Sequence, residues 1–452
     1  MSGAALPLTD ERYRSVECAV ADFTSVARGK IVSRGDFESA RGCRLPSVVF
    51  GVTLTGGESD EVFGPLLPTD YRDVHLRPDM TTAVPAIGRE DRLSVICEPS
   101  GPLAQPGAPV GLVTRGSQLS PRAALRRVLA RLADAGLRAK VAPELEFFLV
   151  EHHPGHAPPL RSAAAPGASQ SREHRVEIAS LERATHFSAY FDALFAACER
   201  QRIPVTGYAH ESACSQYEVN FAPGEPLAMA DAVWRFKRLA RETAVRQGFL
   251  ATFIAKPFLD QPGTGMHWHA SLQHTSSGHN AFSLPDGSMA PALMHFIAGL
   301  QHDAAGLLAL LAPYDHSFDR LKRSDASPSS ASWGDDDRGV AFRLPAASAA
   351  NRRVENRLPG GDASPYLTVA ATLGLGLHGL QHRLTPLDMP RPLPTTLADA
   401  LTALERSAAL RELLGDPLVT LYAALKRHES AERRALGDPR HGWDFVHLTE
   451  QA

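Results

Sequence analysis

The chain has 452 residues, of which 44% are hydrophobic and 21% are charged, as in a globular protein of two or three domains. Its net charge of −3 argues against a nucleic-acid or membrane surface, so any charged partner should be small and locally bound. The sequence has no secretory pattern and no apolar run of the ~18 residues that a membrane span needs. Its five cysteines are widely spaced, and we expect reduced thiols and a cytoplasmic location.

The first part of the chain predicts a small sheet domain. Residues 16–98 alternate short β-rich runs with Gly, Asp and Pro turns, and 99–111 is rich in Pro and Gly. A helix should follow, with Ser120 as its N-cap, Pro121 in its first turn and Gly136 at its end. We therefore place a domain boundary near residue 112.

Beyond this boundary, strands and helices are mixed as in an α/β or α+β catalytic domain. The expected strands are 139–150, 204–220, 250–256 and 264–273, and the expected helices are 186–201, 227–247 and 290–311. Two stretches, 152–174 and 324–339, are too rich in loop-forming residues to be simple connections. We expect a solvated loop for the first, in spite of its three clustered histidines, His152, His153 and His156, and a mobile flap for the second.

The segment APELEFFLV, residues 142–150, places two glutamates in an apolar strand. Side chains alternate along a strand, so Glu144 and Glu146 share one face while Leu145 points to the other. Two like charges about 7 Å apart beside apolar neighbours need protonation, basic partners or a metal ion. The competing interpretation is a half-exposed strand whose acids face water.

Later segments supply more potential metal ligands in strand-like contexts. They are Glu211 and Glu218 in 207–221, His267 and His269 in 253–272, and Glu355 in 351–367. A bulge between the first two could bring both to one side of the strand. Several carboxylates with an occasional imidazole are typical of sites that hold phosphate on Mg²⁺ or Mn²⁺. A hydrogen-bonded strand pair remains the alternative for the two histidines.

Arginines are concentrated within forty residues near the last of these segments. They are Arg320, Arg338, Arg343, Arg353 and Arg357. A solvated face would be the default interpretation, but Arg343 lies among apolar residues in VAFRLP. Guanidinium groups suit bidentate contacts with phosphates and carboxylates, so metals and arginines together indicate phosphoryl chemistry.

These segments, in this order and over nearly the whole chain, resemble the glutamine synthetase superfamily. The matching stretches include ADFTSVARGKI, APELEFFLV, HESACSQYEVNF, AKPFLDQPGTGMHWHASL and RRVENRLPGGDASPYLTVAA. The resemblance implies an α+β fold, with a small β-grasp-like N-terminal domain at 12–111 and a catalytic domain at 112–452 built round a curved antiparallel sheet. It also implies a homo-oligomer, a dodecamer of two hexameric rings, whose active sites lie between neighbouring subunits.

The resemblance also implies roles for individual residues. Glu146, Glu211 and Glu218 match the ligands of the metal that contacts the substrate carboxylate, whereas Glu144, His267 and Glu355 match those of the metal that draws in the ATP phosphates. Arg320, Arg357 and Gly263 match the glutamate site, Arg338 and Arg343 match the groups that stabilise the transferred phosphoryl group, and His269, Ser271 and Arg353 match nucleotide contacts. The implied cofactors are ATP and two or more Mg²⁺ or Mn²⁺ ions per site.

Two departures from the family pattern concern the amine substrate. Val52 and Thr53 stand where an ammonium-binding aspartate would fall, and Ala326 stands at the flap glutamate, with Asp325 one residue away. Without these anions, ammonium loses its electrostatic basis for selection, and the released space suits a larger amine. The closest resemblance is therefore to the γ-glutamylamine ligase branch, which includes polyamine, ethanolamide and anilide types.

The expected partners are glutamate and an amine, with Asp325 in a catalytic role. Asp73 is a candidate to pair the far ammonium of a dicationic amine. Two alternatives stay open: a glutamine synthetase with a degraded amine site, and a catalytically silent relative that acts as a regulatory scaffold.

Overall fold

The structure is a computed structural model that describes residues 8, 10–103, 113–151, 161–163, 177–322 and 327–451. Its strands are β1 (Ser15–Ala21), β2 (Ala27–Ser33), β3 (Cys43–Pro46), β4 (Asp73–Pro78), β5 (Val84–Ala86), β6 (Arg89–Ser100), β7 (Leu137–Glu151), β8 (Val205–His210), β9 (Gln216–Phe221), β10 (Phe249–Thr252), β11 (Met266–His274), β12 (Trp333–Asp335), β13 (Phe342–Leu344) and β14 (Val354–Asn356). Its α-helices are α1 (Arg34–Ala40), α2 (Pro121–Asp134), α3 (Leu181–His186), α4 (Ser188–Arg200), α5 (Pro226–Val245), α6 (Pro291–His302), α7 (Ala304–Leu311), α8 (Pro365–Gln381), α9 (Leu397–Arg406), α10 (Ala408–Leu414), α11 (Asp416–Arg434) and α12 (Phe445–Leu448).

The first six strands form the small sheet that the turn-rich sequence predicts. Their order is β2-β1-β6-β4-β3, with β5 paired to β6. Strand β1 runs parallel to β6, whereas the other neighbours are antiparallel. Val16, Cys18 and Val20 alternate along β1 and are buried on one face of this sheet.

The other eight strands form a second sheet in the order β12-β13-β14-β11-β7-β9-β8, with β10 paired to β7. Its pairs are antiparallel apart from β12 and β13. Leu145 and Phe147 of β7 are fully buried, and the Phe147 ring lies 6.2 Å from Phe236 of α5 and 5.4 Å from Phe253. Aromatic packing therefore anchors one face of β7 and leaves the other face for polar side chains.

Several predicted elements agree with the structure, and others divide. The Ser120 side chain caps α2 by accepting a hydrogen bond from the Ala123 amide, as predicted. The strand expected at 204–220 is instead a hairpin of β8 and β9, because Ser215 adopts a left-handed φ of 56° that reverses the chain. The helix expected at 186–201 is α4, which α3 precedes, whereas the helix expected at 290–311 divides into α6 and α7 at Asp303.

Some sequence predictions fall on parts of the chain that the structure does not describe. The boundary near residue 112 lies outside the described residues, as do His152, His153 and His156. The predicted flap at 324–339 is described from residue 327 onward, where it contains β12. Among the described residues, no helix is long and apolar enough to cross a membrane.

Candidate metal and substrate site

The central strand β7 carries two glutamates on one face of the second sheet. Its neighbours bring further polar side chains into register with them. In β9, Glu218 lies opposite Glu146, and in β11, His267 lies opposite Glu144. The alternation that the sequence predicted for β7 is therefore present, and cross-strand pairing places acids from two strands and an imidazole from a third side by side.

A fourth strand adds the last acid of this face. Glu355 of β14 lies opposite His269 of β11 on one side and opposite Arg343 of β13 on the other. Its carboxylate is completely buried. Strand register therefore unites residues that are separated by more than two hundred positions in sequence.

One group of potential metal ligands consists of Glu144, His267 and Glu355, with one ligand atom from each lying within 4.8 Å of the others. The Nδ1 atom of His267 is 3.6 Å from Glu355 Oε1 and 3.9 Å from Glu144 Oε2. These three residues are the same set that the family resemblance implied for the ATP-side metal. Their proximity agrees with that assignment, which remains a prediction about the ion.

A second group consists of Glu146, Glu218 and His267, within the same 4.8 Å limit. His267 thus belongs to both groups and stands between them. Glu211, the third residue expected here, follows β8, and its Oε2 accepts hydrogen bonds from the Ser212 amide and hydroxyl at 2.8 Å each. Its carboxylate is not part of the close group, so its role as a ligand stays a prediction.

Two residues beside Glu146 were not assigned a role from sequence. The Gly265 amide donates to Glu146 Oε2 at 2.8 Å, and the Gln216 side chain donates to the same atom at 3.0 Å. A Cβ at Gly265 would lie 2.5 Å from His267 Nε2 and 3.1 Å from Glu146 Oε1, so this position requires glycine. The GTGMH stretch was the signal, because glycine beside a candidate ligand indicates close backbone approach.

Two of the predicted arginines, Arg343 and Arg357, bind the buried carboxylate of Glu355. Glu355 Oε2 accepts from Arg343 at 2.8 Å, and Glu355 Oε1 accepts from Arg357 at 2.6 Å. Arg357 also donates to the Arg338 carbonyl at 3.1 Å, which ties two of the predicted phosphate and substrate residues together. Two guanidinium groups therefore share one buried carboxylate.

Arg320 and Gly263 meet at the expected glutamate site. The Arg320 guanidinium donates to the carbonyls of Leu358 and Arg357 at 2.8 and 3.1 Å. A Cβ at Gly263 would lie 2.3 Å from the Ala255 carbonyl and 3.0 Å from Arg320 Cγ. Glycine at 263 thus allows the buried Arg320 side chain to pack closely against the chain.

The remaining predicted residues lie at varied distances from this face. His269 Nε2 is 3.0 Å from Glu144 Oε1, and Arg353 donates to His269 Nδ1 at 3.2 Å, so both join the ligand network. Ser271 follows His267 and His269 on the same face of β11.

Asp73 is exposed at the start of β4, in the other sheet. Asp325 and Ala326 lie outside the described residues.

Burial and charge shift the pKa values of the acids in opposite directions. Burial raises the pKa of Glu146, and burial together with the charges of Glu144 and Glu146 raises that of Glu218 to about 8. Burial also acts on Glu144, but the imidazoles of His267 and His269 outweigh it and hold its pKa below the usual range. Burial of Glu355 is likewise outweighed by His267 and Arg357, which lower its pKa.

This donor set fits divalent cations. Carboxylate oxygens with one imidazole suit Mg²⁺ and Mn²⁺. Burial, with the charges of Glu144 and Glu146, raises the pKa of Glu218, and a bound cation would offset both effects. Structural ion pairs alone would leave Glu146 and Glu218 undercompensated, because the arginines that touch carboxylates here bind Glu355. The face is therefore better suited to ions than to a purely structural network.

Known proteins share both the sequence and the fold. The glutamine synthetase catalytic domain family matches residues 118–441. Gamma-glutamylputrescine synthetase PuuA of Escherichia coli K12 is 31% identical over 439 residues, covering 93% of this chain and 89% of the relative. Glutamate–isopropylamine ligase of a Pseudomonas species is 27% identical over 438 residues, with 91% and 90% covered. Glutamine synthetase of Thermus thermophilus is 28% identical over 459 residues, with 97% and 96% covered.

A solved structure gives the same result for the fold. The ADP complex of GmaS in its first conformation superposes with a TM-score of 0.78 at 25% identity, covering 96% of this chain and 97% of that one. The chain therefore belongs to the glutamine synthetase family, whose members are ligases that form carbon–nitrogen bonds. The predicted α+β fold class and the predicted resemblance are both confirmed.

We expect Glu218→Gln to stabilise the metal-free protein, and to do so more strongly at higher pH. The pKa of Glu218 is raised to about 8, above its unfolded value of 4.5, so the wild-type protein loses stability as pH rises through this window. Melting temperatures measured in EDTA should differ little at pH 5, and the variant should exceed the wild type by about 2 °C or more at pH 8.

The exposed Glu199→Gln variant is the matched control and should show no such divergence with pH. Adding Mn²⁺ at pH 8 should reverse the order, because the wild-type protein then gains a ligand that the variant lacks. A difference between variant and wild type that is constant from pH 5 to 8 would contradict the repulsion described for Glu218.

Proposed function

We propose that this protein is an ATP-dependent ligase that joins the γ-carboxylate of glutamate to an amine larger than ammonia. One observation carries the proposal. A single sheet face brings acids, imidazoles and arginines together, in a chain whose 51–57 loop has no carboxylate. The γ-glutamylputrescine synthetase and the isopropylamine ligase among its relatives support it, since their names specify such amines.

The two ligand groups would hold two metal ions. Glu144, His267 and Glu355 would hold the ion on the ATP side, and Glu146 and Glu218, with Glu211, the ion on the glutamate side. Bound Mg²⁺ or Mn²⁺ supplies charge neutralisation for the ATP phosphates and the substrate carboxylate. His269, Ser271 and Arg353 would contact the nucleotide.

The arginines would hold glutamate and offset the charge of the transferred group. Arg320 and Arg357, with Gly263, would bind the amino acid, and Arg338 and Arg343 would stabilise the phosphoryl group. A γ-carboxylate oxygen of glutamate attacks the γ-phosphorus of ATP, and the bond to the bridging oxygen breaks to release ADP. The amine nitrogen then attacks the acyl carbon, the carbon–oxygen bond breaks to release phosphate, and the amine loses a proton. We assign Asp325 to this proton.

The 51–57 loop brings no carboxylate of its own to the proposed amine site. Thr53 is buried, its hydroxyl lies 2.8 Å from Thr55 Oγ1, and it accepts from the Gly57 amide at 2.9 Å. The Leu54 amide donates to Glu429 of α11 at 2.7 Å, and this bond holds the loop against that helix. Val52 and Thr53 therefore offer no charge to attract ammonium. For a dicationic amine, Asp73 would supply the distant negative charge.

The assembly and location rest on the family resemblance and on the thiols. We propose a homo-oligomer of two hexameric rings with active sites completed by neighbouring subunits, and a division of each chain into 12–111 and 112–452. All five cysteines are buried and none forms a disulfide, in keeping with a cytoplasmic location.

An ammonia-dependent glutamine synthetase is the second candidate. It is favoured by the Thermus thermophilus relative, which matches 97% of this chain. A silent scaffold is disfavoured, because an unused site would keep mutually repelling, half-buried acids at a cost in stability.

We expect Arg357→Lys to impair the use of glutamate. The Arg357 guanidinium spans Glu355 and the Arg338 carbonyl, and a lysine ammonium cannot make both contacts while gripping a carboxylate. The value of kcat/KM for glutamate should fall by about tenfold or more. Arg406→Lys, at an exposed position in α9, is the control and should leave it unchanged. Wild-type kinetics in Arg357→Lys would remove this residue from the glutamate site.

The amine itself is tested by comparing kcat/KM for ammonia with that for putrescine, isopropylamine, ethanolamine and aniline at fixed ATP and glutamate. Each value is expressed per free base at one pH. We expect the best larger amine to exceed ammonia by about a hundredfold. An ammonia value equal to or above every larger amine would restore the glutamine synthetase alternative.

A further inference from the structure

A cavity of about 590 Å³ lies where the first sheet meets helices α2 and α5. Its wall includes Asp79 and Thr82, which follow β4, Arg122 and Arg126 of α2, and Arg235 of α5. None of the residues proposed for the ligase site lines it. A cavity of this size suits a metabolite.

Two of its arginines are already neutralised by acids. Arg122 is buried and donates to both oxygens of Asp231, at 2.8 Å each. It also donates to Asp79 at 2.8 Å and to Glu98 at 2.6 Å, and Arg126 shares the same two acids. These two arginines therefore have no charge left for a ligand.

Arg235 is different, because one nitrogen of its guanidinium is buried in the same wall with no hydrogen-bond partner among the described residues. Its Nη2 atom has no hydrogen-bond partner within the described part of the chain, and no carboxylate there lies within ion-pair distance of its guanidinium. Burial and the nearby charge of Arg202 lower its pKa, although Asp231 acts in the opposite sense. A guanidinium stays protonated in proteins, so this positive charge is buried without direct compensation.

Arg202 supplies a second guanidinium to the cavity. It follows α4 in a left-handed conformation, with a φ of 56°, and is exposed. One of its terminal nitrogens donates to the Ala83 carbonyl, and the neighbouring Gln201 donates to the Pro85 carbonyl. These bonds fix the guanidinium beside β5 while leaving its other N–H groups without a partner among the described residues.

We propose that this cavity binds a small metabolite through a carboxylate or phosphate group, held by Arg235 and Arg202. A planar oxyanion accepts two hydrogen bonds from a guanidinium, which would satisfy Arg235 Nη2 and offset its buried charge. Because the walls come from the first sheet and from catalytic-domain helices, the ligand would join the two parts of the chain. This site is independent of the ligase function.

The test measures binding of inorganic phosphate and, separately, of succinate to the full-length chain by isothermal titration calorimetry. Both anions are also titrated into Arg320→Lys, which weakens anion binding at the proposed glutamate site. We expect one anion or both to bind this cavity in the wild type and in Arg320→Lys. Arg235→Gln should weaken that binding tenfold or more in both backgrounds. Arg406→Gln, an exposed arginine in α9, is the control and should bind like the wild type.

Melting temperatures guard against a folding defect in Arg235→Gln. Without added anion, the variant should melt at or above the wild-type temperature, because it removes an uncompensated buried charge. Arg235→Lys should stay folded and bind more weakly than the wild type. Absence of binding by both anions, or binding that survives Arg235→Gln, would overturn the proposal. Binding of phosphate alone or of succinate alone supports it and identifies the group recognised.

Discussion

Repulsion among half-buried and buried carboxylates on one sheet face is the constraint on which the rest of this structure depends. Glu144 and Glu146 share the face of β7, and strand register adds Glu218 and Glu355. Desolvation makes such a face unfavourable unless positive charge reaches it. The surrounding strands supply that charge in part, through His267, two arginines and the Gly265 amide, and the remainder fits metal ions.

The negative charge of the two ligand groups on this face is offset to different extents by nearby positive charge. On the ATP side, Glu355 is bound by Arg343 and Arg357, and its pKa is lowered. In the other group, Glu146 accepts hydrogen bonds from an uncharged amide and an uncharged glutamine and lies near His267, and the pKa of Glu218 rises to about 8. On the proposed assignment, the group of Glu146 and Glu218 would depend more on a bound ion, and a substrate carboxylate would add another negative charge there.

The sequence was sufficient wherever a local pattern determined the geometry. Alternation placed Glu144 and Glu146 on one face, and Ser120 and Pro121 marked the start of α2. It failed where the backbone departs from regular structure: Ser215, in a left-handed conformation, turns an expected strand into a hairpin and leaves Glu211 outside the close ligand group. The GTGMH stretch signalled close approach at Gly265, but its contacts with Glu146 became visible only in three dimensions. The same holds for Arg235 Nη2, which has no hydrogen-bond partner among the described residues, because long-range packing decides which atoms meet.

The central claim is that the two strand acids of β7 serve two different metal ions. Mn²⁺ binding, followed by electron paramagnetic resonance at fixed pH, tests it most directly. Two ions should bind per wild-type chain, whereas Glu144→Gln and Glu146→Gln should each lose one ion and keep the other. A single ion in the wild-type chain, or the loss of both ions in either variant, would contradict the account.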